Sequence, residues 1–217
     1  MTIRRTLLIL VLLAVLGLVG SLVTAPLLPE RVPSHWNAAG EIDGYSSRNT
    51  ALYLMPALMF GLGIMILYLP QIDPLRANVE KFRAAYNWAV VGFAVFMLYM
   101  HALTLLAGLG VKFNMTAVLL PAMGGLFFGL GFLLDHARRN WFIGIRTPWT
   151  LSSDRVWEKT HRLGGLLFKV AGLLVIGGAL LPGETSFWVM FGLLMAASFV
   201  PVVYSYVAFR QEQRKGG

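Results

Sequence analysis

The chain has 217 residues, of which 57% are hydrophobic and 13% are charged, and its mean hydropathy is +0.69. Soluble domains are about 45–50% apolar and about 25% charged, so this composition argues against both a soluble globular enzyme and a disordered chain. The sequence contains no cysteine, which excludes disulfide bonds, thiolate nucleophiles and cysteine-based metal sites.

Six stretches of more than 20 residues contain no charged residue, except that the fifth stretch contains Lys169. Because a helix rises about 1.5 Å per residue, about 20 residues cross a hydrocarbon core about 30 Å thick. We therefore predict an all-α polytopic membrane protein with a six-helix transmembrane bundle. The predicted helices cover residues 7–27, 51–69, 86–109, 116–134, 163–181 and 186–208.

The loops of this bundle alternate between a strongly basic side and a nearly neutral side. The side of the two termini carries 14 Lys and Arg residues and the opposite side carries 3, with Lys169 counted in neither. The positive-inside rule therefore predicts that both termini are cytoplasmic. The net charge of +8 is mainly a signal of topology, so we predict no direct binding of nucleic acid.

The first long loop, residues 30–48, is predicted to form a turn-rich cap on the extracellular face. Asn37 and Gly40 suit the first and fourth positions of a type I turn, and Asp43-Gly44 is a hairpin-turn dipeptide. The cap is either a folded connector or a recognition surface. His35 has acidic neighbours but no second histidine at a metal-ligand spacing, so we predict no metal site. The candidate binding residues of the cap are His35, Trp36, Asn37, Gly40, Asp43 and Gly44.

The second long loop, residues 135–162, is predicted to be cytoplasmic and to contain a helix. Ser152 or Ser153 can cap that helix, which then places Trp157 and His161 on one face and continues into the fifth span. Its tryptophans and arginines either anchor the loop at the bilayer boundary or form a docking site. The candidate binding or signalling residues are Asn140, Gly144, Arg146, Thr147, Pro148, Trp149, Trp157, His161 and Arg162.

Two features lie within the predicted bilayer. His101 is about 12 Å from the outer end of the third predicted helix, where we expect a neutral imidazole bonded to another helix, with a proton relay as the alternative. Gly125 and Gly129 form a GxxxG pattern, which predicts close helix packing at these two glycines.

The two loop motifs resemble those of a known bacterial family. The segment 35–44 reads HWNAAGEIDG and is similar to the signature of an N-terminal membrane domain that accompanies SdpI-type sequences. The segment 140–152, followed by Trp157 and the Thr160-His161-Arg162 triplet, resembles the SdpI family itself. The resemblance implies an N-terminal membrane domain over residues 1–134 and an SdpI-like region over residues 135–217.

The resemblance also implies a function. It suggests an immunity and receptor-like protein of the bacterial inner membrane, whose partners are the lipid bilayer, a secreted peptide toxin and a cytoplasmic transcriptional autorepressor. A small secondary transporter is the alternative, because long loops after the first and fourth helices match an inverted 3+3 repeat. The sequence has no HExxH, GxSxG or P-loop motif, so we predict neither an enzyme nor a bound cofactor.

Overall fold

The computed structural model describes residues 1–181 and 184–216. Within them, six helices are long and apolar enough to cross a membrane, which confirms the predicted all-α membrane bundle. Two short helices and one β-hairpin lie in the connections. The helices are α1 (Ile3–Thr24), α2 (Arg48–Tyr68), α3 (Arg76–Glu80), α4 (Arg83–Gly108), α5 (Met115–His136), α6 (Pro148–Ser152), α7 (Asp154–Gly178) and α8 (Glu184–Gly216); a 3₁₀ turn covers Leu69–Ile72, and the strands are β1 (Arg31–Trp36) and β2 (Ile42–Ser47).

The long helices expose apolar side chains on their outer faces, as α1 illustrates. Its Leu8, Leu12 and Leu16 are each more than half exposed, whereas Leu10 and Ala14 on the opposite face are buried. A helix with apolar side chains on all faces is typical of a membrane span, because the hydrocarbon chains solvate its outer face.

The six spans pack as two groups of three. The helices α1, α2 and α4 contact one another, whereas α7 packs between α5 and α8, and α4 contacts α5 across the two groups. The contact between α5 and α7 is the most extensive in the bundle. The domain boundary at residue 134 remains a prediction.

The helix α7 begins in the second long loop, residues 135–162 (the inner loop), and continues into the bilayer as one element. The Ser153 hydroxyl accepts a hydrogen bond from the Val156 N–H, and Asp154 lies in the first turn, where a negative charge is favourable. The predicted fifth span began later, at residue 163, because charge marks where the apolar stretch starts and not where the helix starts.

Close packing of α5 on α7 depends on glycines. A Cβ added at Gly124 would lie 2.5 Å from the carbonyl oxygen of Gly172, and one added at Gly131 would lie 2.7 Å from that of Gly165. Among the described residues nothing lies within 4 Å of a Cβ added at Gly125 or Gly129. The close helix packing predicted at this GxxxG pair is therefore not found within the chain, because the pair faces away from α7.

Candidate functional site

The cap is a two-stranded antiparallel hairpin. The Asn37 carbonyl accepts a hydrogen bond from the Gly40 N–H at 2.9 Å, and Gly40 has a φ of +82°. The Asn37 side chain braces this turn, because its Oδ1 accepts the Glu41 N–H at 3.0 Å. The turn expected at Asp43-Gly44 is not formed, and this dipeptide lies in β2. The chain reverses direction earlier, between Asn37 and Gly40, because Gly40 adopts the left-handed conformation that this turn requires.

The base of the hairpin is fixed to the ends of the first three spans that lie away from the chain termini. Leu28 and Val32 are buried with Leu52 and Leu105 in a small apolar cluster. The Leu28 and Val32 side chains occupy the space beside Gly108, where a Cβ would lie within 3 Å of both. The cap is therefore packed onto the bundle and is not a loose loop.

The tip of the hairpin lies on the first turn of α5. The Asn114 side chain caps this helix and donates a hydrogen bond to the Ala39 carbonyl at 3.3 Å. The Thr116 hydroxyl donates to the Ala38 carbonyl at the same distance. A Cβ at Gly40 would lie 2.7 Å from the Asn114 Oδ1, so a larger residue there would displace the tip.

All six candidate residues of the cap belong to this hairpin. The His35 Nδ1 lies 2.5 Å from the Asp43 Oδ1, and both side chains are exposed. Gly44 pairs with His35 across the strands and leaves room for its Cβ. Trp36 and Gly40 line a groove of about 360 Å³ between the hairpin and the α4–α5 turn. Among the described residues no cluster of three metal-ligating side chains occurs, and the hairpin presents a polar, aromatic surface.

The inner loop between α5 and α7 is organised by Asn140, which is completely buried. Its Oδ1 accepts the N–H groups of Phe142 and Ile143, and its Nδ2 donates to the carbonyls of Arg138 and Ile143. One side chain thus satisfies four backbone groups and fixes the bend of the loop.

Gly144 and His161 join this bend to α7. The His161 Nε2 accepts the Ile145 N–H at 3.0 Å, and its Nδ1 lies 2.9 Å from the Trp157 carbonyl. The ring is therefore neutral, with its proton on Nδ1. Gly144 has a φ of +104°, and a Cβ there would collide with the ring.

The expected cluster of tryptophans at the membrane boundary is divided in the structure. Trp157 is buried, stacks on His161 with ring centres 3.9 Å apart, and donates from its indole to the Ala137 carbonyl at 2.9 Å. It belongs to a core that includes Val79 and Phe82, whereas Trp141 is half exposed. Trp157 is thus a packing residue and not a boundary anchor.

The short helix α6 connects the inner loop to α8. Thr147 caps α6 in a reciprocal arrangement with Thr150, and Pro148 occupies the first turn. The Thr147 hydroxyl lies 3.0 Å from that of Ser205, and the rings of Trp149 and Tyr206 are 5.1 Å apart.

The candidate arginines of this loop are exposed. Arg146 donates to the Trp141 carbonyl at 2.9 Å, and Arg162 lines an open recess between α5 and α7. Together with Pro148, they are the inner-loop candidates that the structure leaves exposed to a partner.

The sequence reasoning missed a buried carboxylate that fixes the inner loop. Asp73, in the connection between α2 and α3, accepts the N–H groups of Leu75 and Trp141. Asn78 donates to the Arg139 carbonyl nearby at 2.9 Å. In the sequence, an aspartate followed by Pro74 is typical of an ordinary turn. Only the burial of its side chain in the structure shows that Asp73 supports the inner loop.

His101 is bonded across the bundle, as expected. Its Nε2 lies 2.9 Å from the Ser21 hydroxyl, which lies 2.6 Å from the Leu52 carbonyl. Since the carbonyl can only accept, Ser21 donates its proton there, and the imidazole N–H donates to Ser21. These contacts join α1, α2 and α4 within the membrane.

These features define a class of protein: a polytopic α-helical membrane protein with a β-hairpin on one face and an ordered, hydrogen-bonded loop on the other. Residues 136–205 match the model of the SdpI/YfhL protein family, and residues 12–60 match that of a domain of unknown function, DUF1648. The chain is also 23% identical, over 93% of its length and 94% of the relative's, to the immunity protein SdpI of Bacillus subtilis (strain 168). No solved structure gives a significant match.

The chain is therefore similar to the SdpI family, most directly in its second half. The family model begins at the last residue of α5 and covers the inner loop, α7 and most of α8. The DUF1648 match begins in α1, contains the whole cap hairpin and ends within α2. Both loop motifs found in the sequence therefore lie within matched segments.

Proposed function

We propose that this chain is an immunity protein of the bacterial inner membrane, with cytoplasmic termini, that confers resistance to a secreted, membrane-active peptide. The similarity to a protein named as an immunity protein, over nearly the full length of both chains, supports this proposal. In this proposal the chain acts by binding and not by catalysis.

The observation that carries the proposal is the position of α5, which contacts both candidate surfaces. At its outer end, Asn114 and Thr116 hold the tip of the hairpin. Just past its inner end, the Ala137 carbonyl accepts the indole N–H of Trp157. A peptide bound at the cap would therefore act on the same helix that supports the inner loop.

The cap is the proposed site of contact with the peptide. His35 and Asp43 are exposed there and form a polar pair, and the adjacent groove contains Trp36 and Ile42. Such a surface suits a peptide with both apolar and charged side chains. Binding changes the inner loop only if the peptide has different affinities for two states of the bundle.

The inner loop is the proposed site of signalling. Trp141 and Arg146 are exposed on the side of the termini, next to the buried network of Asn140 and His161. A cytoplasmic transcriptional repressor would bind to this surface when the cap is occupied.

Growth of a sensitive bacterium tests the resistance. Cells that express the chain are challenged with membrane-active peptides, and the change His35→Ala together with Trp36→Ala is compared with Ser34→Ala, an exposed change on the same strand. At matched expression we expect the double variant to lose protection and Ser34→Ala to keep it. Equal protection by all three proteins would remove the cap from the mechanism, and absence of protection by the unaltered chain would refute the proposal.

A small transporter is the second candidate, and the grouping of the spans into α1, α2, α4 and α5, α7, α8 favours it. The hairpin follows the first helix of one group and the inner loop follows the first helix of the other, on opposite faces, as in an inverted repeat. Proton-coupled solute flux in liposomes that is lost in His101→Ala would support transport, and resistance without flux would exclude it.

A further inference from the structure

An open recess lies between α5 and α7 on the side of the termini, next to the hydrogen-bonded core of the inner loop, whose His161 also lines it. Its volume is about 600 Å³, and one wall follows a single face of α7 through Glu158, Arg162, Leu166 and Lys169. The opposite wall contains Asp135 and Arg138 from the end of α5 and the start of the loop.

The recess has one more cation than it has carboxylates. Lys169 pairs with Asp135 at 2.5 Å, and Arg138 pairs with Glu158 at 2.9 Å. Arg162 is exposed, and within residues 1–181 and 184–216 it has no hydrogen bond or ion pair. A guanidinium without a partner is suited to bind a phosphate.

An apolar strip on α7 continues from the recess toward the middle of the membrane. Leu166, Val170 and Leu173 follow Arg162 on the same side of the helix, and each is exposed by 44% or more. A charged recess above such a strip matches a phospholipid, whose phosphate lies at the membrane boundary and whose acyl chains lie below it. Basic pockets between transmembrane helices are known to bind anionic headgroups.

We propose that this recess binds one anionic phospholipid, with the phosphate on Arg162 and Arg138 and an acyl chain along Leu166 and Leu173. The bound lipid would join α5 to α7 at the level where the inner loop begins. This site is separate from the cap and does not depend on the proposed immunity function.

Native mass spectrometry of the detergent-purified chain tests the proposal, because the mass identifies what is bound. The ligands compared are dioleoyl phosphatidylglycerol, dioleoyl phosphatidylcholine and glycerol phosphate. We expect one phosphatidylglycerol to bind in preference to phosphatidylcholine, and glycerol phosphate not to bind. No preference for phosphatidylglycerol would overturn the proposal, and equal binding of glycerol phosphate would show an anion site that does not require a lipid.

Three variants locate the site. Arg162→Gln should weaken phosphatidylglycerol binding about fivefold, the effect of one cation near an anionic headgroup. Lys159→Gln removes the same charge from an exposed position of α7 outside the recess and should have no effect. Glu158→Gln should strengthen binding, because it leaves Arg138 without its carboxylate partner. Equal losses in the first two variants, or weaker binding in the third, would refute the proposed site.

Discussion

The contact between α5 and α7 can be tested with two neighbouring glycines. A methyl group at Gly124 would lie 2.5 Å from the Gly172 carbonyl oxygen and 2.6 Å from Ile176, whereas one at Gly125 would have no described residue within 4 Å. Carbon and oxygen atoms in weak contact are about 3.3–3.6 Å apart, so Gly124→Ala requires the two backbones to separate by about 1 Å. Such overpacking lowers the free energy of unfolding by about 1–3 kcal/mol.

The variant Gly125→Ala is the matched control, because both changes improve helix propensity by up to about 1 kcal/mol. We therefore expect Gly124→Ala to be less stable than Gly125→Ala by about 1–3 kcal/mol, since both variants gain the same helix propensity and differ only in the overpacking. The measurement is reversible unfolding in mixed micelles, followed by circular dichroism. Equal stability of the two variants would show that α5 does not face α7 through Gly124.

Three further predictions concern the inner loop. Gly144→Ala should lower the free energy of unfolding by about 1–3 kcal/mol, because φ there is +104° and a Cβ would meet the His161 ring; an unchanged midpoint in the same assay would contradict this. Thr147→Ala should lower the free energy of unfolding by about 1 kcal/mol, because α6 loses its N-terminal cap. A double-mutant cycle with Ser205→Ala should give a coupling energy above zero, and additive losses would exclude the hydrogen bond between Thr147 and Ser205. Asp73→Ala should speed trypsin cleavage after the loop arginines, because the Trp141 N–H loses its acceptor, and an unaltered cleavage rate would show that Asp73 does not hold the loop.

The spans were predictable because they depend on a local quantity, the length of an uncharged stretch. The start of α7 was also predictable, from its Ser153 cap, but the inner end of α8 was not, since that helix extends through charged residues beyond the apolar segment. Hydrogen bonding in the backbone continues wherever capping and propensity allow, and does not stop at the bilayer boundary.

The turn of the cap shows why local patterns can compete. Both Asn37–Gly40 and Asp43-Gly44 are acceptable turn sequences, and the sequence analysis expected turns at both. The structure forms only the first, where Gly40 also fits against Asn114, 74 positions further along the chain. The position of α5 is a tertiary property that no local pattern contains.

The composition of the candidate site was predictable, but its burial was not. All the inner-loop candidates lie in one connected region, yet Trp157 and Asn140 are buried supports, whereas Arg146 and Arg162 are exposed. Tryptophan is common at membrane boundaries, whereas Trp157 is enclosed by residues that are distant in sequence, among them Val79 and Phe82 from the connection between α2 and α4.

The most direct test of the account is the side of the membrane on which each loop lies. The chain has no cysteine, so Ser34→Cys in β1 and Ser152→Cys in α6 each provide a single exposed thiol. In spheroplasts treated with a membrane-impermeant maleimide, we expect labelling of Ser34→Cys at once and of Ser152→Cys only after the membrane is permeabilised. Labelling of Ser152→Cys in intact spheroplasts with Ser34→Cys protected would contradict the assignment of the cap to the outside and of the inner loop to the cytoplasm.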